Sequence, residues 1–283
     1  MSNIAWAPDE RLQAYGAMAE AGFTGLEIAP GLFFHGCEDP FSPGEGLAAL
    51  ALTEMADHGL ELVSMQSLLF GVEGAGLFDS ETGRAALING MIRAIDLAGR
   101  FGIPNLVFGS PAQRKVPSEL PMNKAFGEAV EVFRTLGDRA QSAGTCITIE
   151  ANPAAYGTNF LTTLEEAVAF VEQVDHPAIA PILDLGAMHM NGSFSEVCQH
   201  LGTLTSKLNH VHVSEPELAP APADPERLAP VLRTLVNHGY KKTVSIEMRR
   251  PESGLHGVRA SITALAQENQ IQGLGSRTGP PDQ

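Results

Sequence analysis

The sequence has few cysteines, and the three that it contains, Cys37, Cys146 and Cys198, form no CxxC pair. An odd, sparse set argues against a disulfide framework and favours a reducing compartment. No stretch approaches the ~18 consecutive apolar residues that a membrane-spanning helix needs. The first ten residues, MSNIAWAPDE, lack the basic start and the apolar run of a signal peptide. We therefore expect a cytoplasmic protein with no membrane partner.

Positive charge is also scarce, with 18 Lys and Arg against 33 Asp and Glu and a formal net charge of −15. Such a chain repels phosphate backbones, which argues against a nucleic-acid partner and leaves a small molecule as the expected one. Hydrophobic residues make up 44% of the chain and charged residues 18%, so a well-buried core is expected. The length of 283 residues suits one large α/β barrel or two ordinary domains.

One local pattern recurs along the chain: a helical stretch ends in glycine, and a short β-branched or aliphatic run follows. It occurs in AEAGFTGLEI at Gly22, in ADHGLELVSM at Gly59 and in QSAGTCITIE at Gly144. Gly102 and Gly239 occupy the same place in two further copies. Glycine adopts a left-handed conformation after a helix without a Cβ penalty, so each copy predicts a helix end followed by a strand.

Eight strands are predicted from these runs: Asn3–Trp6, Gly25–Ile28, Leu62–Gln66, Asn105–Gly109, Thr145–Asn152, Ala180–Leu185, Asn209–Ser214 and Thr243–Met248. Eight helices are predicted to follow them: Asp9–Ala21, Pro43–His58, Ser80–Phe101, Met122–Ala143, Thr163–Val174, Phe194–Leu201, Asp224–His238 and Ser253–Asn269. Alternation of apolar strands with helices favours a parallel (β/α)8 barrel, the TIM barrel, over an open sheet.

We predict one barrel domain over residues 1–272, with the active site at the C-terminal mouth where barrel enzymes place it. Two long segments, Gly31–Pro43 and Glu215–Asp224, follow the second and seventh predicted strands and therefore lie at that mouth. The remaining residues, 273–283, have Leu274 as their only large apolar side chain and are predicted to be a disordered tail.

Acidic and imidazole side chains stand near the ends of four consecutive predicted strands. Glu150 ends the fifth, Asp184 the sixth, His212 lies in the seventh, and Glu247 ends the eighth. Adjacent strands of a closed barrel bring such ends to one mouth. Three carboxylates and one imidazole suit Mn²⁺, Mg²⁺ or Co²⁺ better than a structural zinc. His210 shares a face with His212 but lies deeper, so we predict that it supports the ligand rather than binding metal itself.

Five further side chains are candidates for contact with a substrate: His189, Arg249, Glu27, Arg114 and Gln66. A guanidinium at position 249, two residues beyond Glu247, would fork onto a carboxylate or phosphate, which suggests an acidic sugar derivative. A salt bridge at the barrel rim is the alternative role for either arginine. Glu27 is either a substrate contact or a support for the metal ligands, and His189 is either a substrate contact or a loop histidine without a role.

The motifs ITIEANP, ILDLGAMHMN, HVHVSE and VSIEM, which contain the four candidate ligands, resemble those of the xylose-isomerase-like TIM-barrel superfamily of sugar phosphate isomerases and epimerases. The resemblance covers nearly the whole chain to about Asn269. Within that superfamily, the sequence is similar in particular to ketose 3-epimerases and hydroxypyruvate-isomerase-like relatives. The resemblance implies that Glu150, Asp184, His212 and Glu247 bind one divalent ion, with Mn²⁺ ahead of Mg²⁺ and Co²⁺.

The same resemblance implies an isomerase or epimerase that acts on a small sugar or sugar derivative through an enediolate intermediate. Glu150 and Glu247 would then act as acid and base, and the assembly would be a homodimer or a homotetramer. A metal-dependent dehydratase of an inosose, a dehydroshikimate-like acid or a sugar acid is the alternative, because it shares the proton-abstraction step. A DNA-repair hydrolase and a non-catalytic ligand-binding barrel are two further alternatives.

Overall fold

The computed structural model describes residues 1–272, and the predicted tail at 273–283 lies outside the described residues. Seven parallel strands form the sheet, each paired with the next in chain order. They are β1 Gly25–Ile28, β2 Glu61–Met65, β3 Asn105–Phe108, β4 Cys146–Ile149, β5 Ile179–Asp184, β6 His210–Val213 and β7 Thr243–Ile246. The sheet curls into a nearly closed barrel, which confirms the predicted TIM-barrel class.

The predicted first strand, Asn3–Trp6, is wrong, because Asn3–Ala5 forms a 3₁₀ helix. A shorter contact closes the barrel instead: the Ser2 amide donates to the Ile246 carbonyl at 2.8 Å, and the Glu27 amide donates to the Met1 carbonyl at 3.0 Å. The Asn3 side chain then accepts from the Ala29 amide at 2.7 Å, where a strand would have used its backbone. A buried side chain therefore satisfies the polar groups that a longer strand would have paired.

Ten α-helices are present among the described residues. They are α1 Arg11–Glu20, α2 Pro30–Phe33, α3 Glu45–Ala56, α4 Glu81–Phe101, α5 Met122–Ser142, α6 Leu164–Val174, α7 Leu185–Met190, α8 Val197–Leu204, α9 Pro225–Asn237 and α10 Leu255–Gln272. Eight of them match the predicted helices within a few residues at each end. The two short ones, α2 and α7, were not predicted.

The recurrent glycines end their helices as predicted. Gly22, Gly59, Gly102, Gly144 and Gly239 all have φ between 65° and 79°, in the left-handed region. Each therefore turns the chain from the bottom of the helix layer into the next strand. No helix of the described part combines the length and the apolar character needed to cross a bilayer.

The core lies in two layers, inside the barrel and between the strands and the outer helices. Phe108 of β3 meets Phe133 of α5 edge to face, with ring centroids 5.0 Å apart, and Phe133 meets Phe170 of α6 at 5.4 Å. These contacts hold β3 against α5 and α5 against α6. Aromatic packing therefore joins this side of the barrel to its outer helices.

Candidate metal centre

The C-terminal ends of β4 to β7 bring four predicted side chains together at the mouth of the barrel. Asp184 ends β5 and pairs in register with His212 of β6, while Glu150 and Glu247 follow directly after β4 and β7. One nitrogen or oxygen from each residue lies within 4.8 Å of the others. Because adjacent strands are parallel and in register, the four residues at their ends come together as a compact set of donor atoms.

The His212 ring is at the centre of this set. Its Nδ1 lies 3.2 Å from Glu247 Oε2, 3.3 Å from Glu150 Oε1 and 3.6 Å from Asp184 Oδ2. Two ligands at right angles at about 2.1 Å from one ion would themselves be about 3 Å apart. The donor spacing and the oxygen-rich chemistry therefore fit a divalent cation.

Two buried atoms of the set have no hydrogen-bond partner among residues 1–272. They are His212 Nδ1 and Glu150 Oε1. A buried polar atom without a partner is costly, and most such atoms in proteins are satisfied by a group, water or ion. The two orphan atoms face each other across 3.3 Å, so one cation would satisfy both.

A buried layer behind His212 fixes the orientation of the ring. His212 Nε2 lies 3.1 Å from Glu27 Oε2, and His210 Nε2 lies 3.1 Å from the same oxygen. Gln66 donates to the other Glu27 oxygen at 3.1 Å. A proton held on Nε2 by Glu27 leaves the Nδ1 lone pair directed at the three carboxylates, as in carboxylate–histidine–metal arrangements. Glu27 thus contacts the His212 ring, and Gln66 contacts Glu27. Neither of these two residues lines the cavity.

The two outer carboxylates are held by their own neighbours. Asp184 accepts from the Ala187 amide at 2.6 Å, as the cap of α7, and from the Ser214 hydroxyl at 2.9 Å. Glu150 accepts from the Asn152 amide group at 2.9 Å. A Cβ at Gly109 would lie 2.5 Å from Glu150 Oε2, so only glycine leaves room for this carboxylate.

Burial and crowding shift the pKa values of the cluster. Burial would lower the pKa of His212, but the carboxylates of Glu247 and Glu27 outweigh this effect and hold it well above its usual value. Burial raises the pKa of Glu247 to about 7, and the nearby charges of Glu150 and Asp184 add to the rise. Without a metal the cluster therefore retains protons, which a divalent ion would displace.

A cavity of about 380 Å³ opens above the cluster. It is lined by Pro111, Glu150, Ala151, Asn152, Tyr156, Asp184, Gly186, Ala187, Ser214, Glu215, Glu217, Leu218 and Glu247. This volume lies within the range of small-molecule sites. Tyr156 and Glu217 join two loops over the mouth, because the Glu217 amide donates to the Tyr156 hydroxyl oxygen at 3.0 Å.

Arg114 does not reach this cavity. It is fully buried and donates to the Glu150 carbonyl at 2.8 Å and to the Leu161 carbonyl at 3.2 Å. These two bonds tie together the chain after β4, so the guanidinium positions the backbone of Glu150. The structure thus gives Arg114 a structural contact rather than the substrate contact or the salt bridge considered from sequence.

His189 and Arg249 also lie outside the cavity lining. His189 stacks on Phe194 with ring centroids 3.8 Å apart and comes within 3.9 Å of Glu215, in a small neighbouring pocket. The Arg249 side chain is exposed, and its amide donates to the Leu218 carbonyl at 2.9 Å. Neither residue is placed to touch a molecule in the cavity directly.

Several lining residues were not among the predicted site residues. Asn152, Tyr156, Ser214, Glu215 and Glu217 all contribute to the wall. Asn152 and Ser214 lie two residues beyond predicted ligands, so the period-two alternation of a strand was a usable signal for them. Tyr156 and Glu217 lie in loops whose path depends on tertiary contacts, and no sequence pattern identified them.

Comparisons with known proteins agree with the barrel fold described above. The model of the family described as xylose isomerase-like TIM barrel matches residues 16–268. No curated protein matches the sequence. The D-psicose 3-epimerase of Clostridium cellulolyticum H10, solved with D-tagatose, superposes with a TM-score of 0.76 at 16% identity, covering 96% of this chain and 98% of that chain.

Two other solved structures are similar over the same extent. The 3-keto-D-glucoside 4-epimerase of E. coli has a TM-score of 0.72 at 19% identity and covers 95% of this chain and 98% of its own. An AP endonuclease, family 2, from Brucella melitensis has a TM-score of 0.68 at 18% identity, with coverages of 94% and 97%. Similarities at this level of identity establish the shared fold.

Proposed function

Since the chain belongs to the xylose isomerase-like TIM barrel family, we propose that it is a divalent-metal-dependent isomerase or epimerase of a small sugar or sugar derivative. The observation that carries the proposal is the buried His212 Nδ1 surrounded by three carboxylate oxygens at 3.2–3.6 Å beneath an open cavity. Two similar structures, a D-psicose 3-epimerase and a 3-keto-D-glucoside 4-epimerase, support the same class of reaction.

Glu150, Asp184, His212 and Glu247 are the residues that would hold the ion, with Mn²⁺ as the first choice and Mg²⁺ or Co²⁺ as alternatives. When bound, a divalent ion supplies the positive charge that stabilises negative charge developing on substrate oxygens. His212 is the neutral donor of the set, because Glu27 holds its other ring nitrogen. Asp184 is the most tightly oriented carboxylate, since both of its oxygens accept hydrogen bonds.

Glu150 and Glu247 are the residues that we propose as acid and base. They approach the cavity from β4 and β7, strands on different sides of the mouth, and both line it. A C–H next to a carbonyl gives up its proton to one carboxylate, and the resulting enediolate takes a proton back from the other, or from the same one at a different carbon.

Proton exchange measured by NMR tests this function. The protein, stripped of metal and then reloaded with Mn²⁺, is incubated in deuterium oxide with a panel of ketoses, sugar acids and sugar phosphates. We expect deuterium to enter at the carbon next to the carbonyl with at least one compound, and we expect chelator to abolish the exchange. Loss of water from the compound would instead indicate a dehydratase.

A nicking assay on abasic DNA is the negative control, because one similar structure is that of an AP endonuclease of family 2. We expect no nicking, since the cavity wall offers carboxylates rather than cations to a phosphate backbone. Absence of metal-dependent exchange across the whole panel, or nicking that depends on metal, would contradict the proposed function.

A further inference from the structure

The charges that line the cavity are all of one sign. Five lining residues carry carboxylates: Glu150, Asp184, Glu215, Glu217 and Glu247. Among the residues described, no Lys, Arg or His lines it. One divalent ion would offset two of the five negative charges, so the cavity would still present a negative field to an incoming molecule.

Three arginines that are close in sequence to the wall, or that line the neighbouring pocket, do not line the cavity. Arg114 is buried and bonded to two backbone carbonyls. Arg227 lies 4.9 Å from the Phe194 ring, in the neighbouring pocket beyond Glu215. Arg249 is exposed and does not line the cavity. A phosphate or carboxylate on the substrate would therefore meet no guanidinium of residues 1–272 inside the cavity.

We propose that the cavity selects an uncharged, hydroxyl-rich sugar and discriminates against phosphorylated and carboxylated sugars, with Glu217 as a residue that determines this specificity. The inference rests on the proposed function and narrows its substrate class. It replaces the acidic derivative that the position of Arg249 suggested. Carboxylate oxygens accept hydrogen bonds from hydroxyl groups but repel anions, so the same wall binds one class and excludes the other.

Glu217 has the features that a specificity residue requires. Its carboxylate lines the cavity and forms no ion pair within residues 1–272. Glu215 also lines the cavity, but its carboxylate accepts from the Ala223 amide at 2.9 Å and lies 3.9 Å from His189 Nε2. Its backbone has a φ of 57°, and the next residue, Leu218, has a φ of 55°. Left-handed conformations are unfavourable for such residues, so surrounding contacts must hold this turn over the cavity. The bond from the Glu217 amide to Tyr156 is one of these contacts.

Binding to the Mn²⁺-loaded protein tests the inference without requiring turnover. The affinities of D-fructose and D-fructose 6-phosphate, and of a second ketose with its phosphate, are measured through the relaxation of water protons around Mn²⁺. We expect each uncharged sugar to bind at least about tenfold more tightly than its phosphate at low salt, and the difference to shrink as salt is added.

Substitution at Glu217 sharpens the test. Glu217→Lys should reduce the preference for the uncharged sugar by about tenfold, and Glu217→Gln should reduce it less, because it removes a charge without adding one. Asp57→Lys is the matched control: Asp57 is exposed at the end of α3, just before β2, and so at the opposite end of the barrel. We expect the control to leave the preference unchanged.

The outcomes separate this inference from the proposed function. Tighter binding of the phosphates, equal or undetectable affinities within the pairs, or a Glu217→Lys effect no larger than that of Asp57→Lys would overturn the inference. Mn²⁺-dependent proton exchange with a sugar phosphate alone would overturn it while supporting the proposed function. Preferential binding of the uncharged sugars without any exchange would support the inference and count against the proposed function.

Discussion

The two ends of the barrel carry polar groups of opposite character. Near the N-terminal end, Lys242 donates to Asn209 at 2.7 Å, Asn209 donates to Asn105 at 2.7 Å, and Asn105 donates to Ser64 at 2.9 Å. Every link of this chain has a partner of complementary type. At the C-terminal mouth, three carboxylates crowd around His212, whose Nδ1 has no hydrogen-bond partner in the described part of the chain.

The difference shows where the molecule is arranged for stability and where it is arranged for chemistry. A fully satisfied network rigidifies a core, whereas like charges held together lower stability unless something else neutralises them. In TIM barrels the N-terminal end generally serves stability and the C-terminal end serves function. The polar groups of this protein follow that division, and substitutions at either end can test it.

The largest effect is expected from the two acid and base candidates. Glu150→Gln or Glu247→Gln should lower Mn²⁺-dependent proton exchange by at least about 10²-fold, the scale of a lost general acid or base. The variants should stay folded, because removing one of several crowded carboxylates relieves repulsion. Exchange measured by NMR and unfolding followed by circular dichroism check both parts. Near-normal exchange by both variants would refute the assignment.

A smaller effect is expected from the glycine beside Glu150. Gly109→Ala places a Cβ 2.5 Å from Glu150 Oε2, so the carboxylate must move. We expect Mn²⁺ affinity to fall by about 10- to 100-fold, as when a group that orients a ligand is lost. Gly127→Ala is the control, because a Cβ there meets nothing within 4 Å. Equal affinities of the two variants in a calorimetric titration would contradict this role.

Substitution at the opposite end should affect stability alone. Asn105→Ala removes the donor to Ser64 and the acceptor for Asn209, which leaves the buried Ser64 hydroxyl and the half-buried Asn209 amide group without these partners. We expect a loss of about 1–3 kcal/mol in the free energy of unfolding, measured in urea. Mn²⁺ affinity should not change. A variant with normal stability but weaker metal binding would reverse the proposed division between the two ends.

The smallest effect is a dependence of metal stabilisation on pH. The folded pKa values of His212 and Glu247 are raised, the latter from 4.5 to about 7, so the stability that their protons provide is lost as pH rises through those values. Under the proposed function, Mn²⁺ would displace these protons on binding. We therefore expect Mn²⁺ to raise the melting temperature by a few degrees more at pH 8.5 than at pH 5.5. An equal or smaller rise at pH 8.5 would count against proton displacement.

Periodic elements were predictable because their signals are local. The glycine at each helix end and the apolar run after it are contained within about ten residues, and β1, Gly25–Ile28, was predicted with its observed bounds. The prediction of a first strand at Asn3–Trp6 was wrong for a non-local reason. Asn3 bonds to Ala29, 26 residues away, and its side chain replaces a backbone ladder that the apolar pattern had predicted.

The site was predictable only in part, again for a physical reason. Glu150, Asp184, His212 and Glu247 belong to strands whose order and direction follow from the barrel, so their convergence was predicted from position alone. The supporting role of Glu27 was one of two alternatives until its oxygen was found 3.1 Å from His212. The sequence could not decide this, because the two residues are 185 positions apart.

The amino-acid order by itself determined the alternation of strands and helices, the glycine turns and the four donors at strand ends, since each depends on neighbours along the chain or on the regularity of the barrel. The tertiary structure alone decided which side chains face the cavity. In the folded chain Arg114 donates to the backbone, and the Arg249 side chain is exposed outside the cavity. Tyr156 and Glu217 meet over the mouth. Loop paths depend on contacts between distant segments, and therefore the charge of the cavity wall emerges only when the chain is folded.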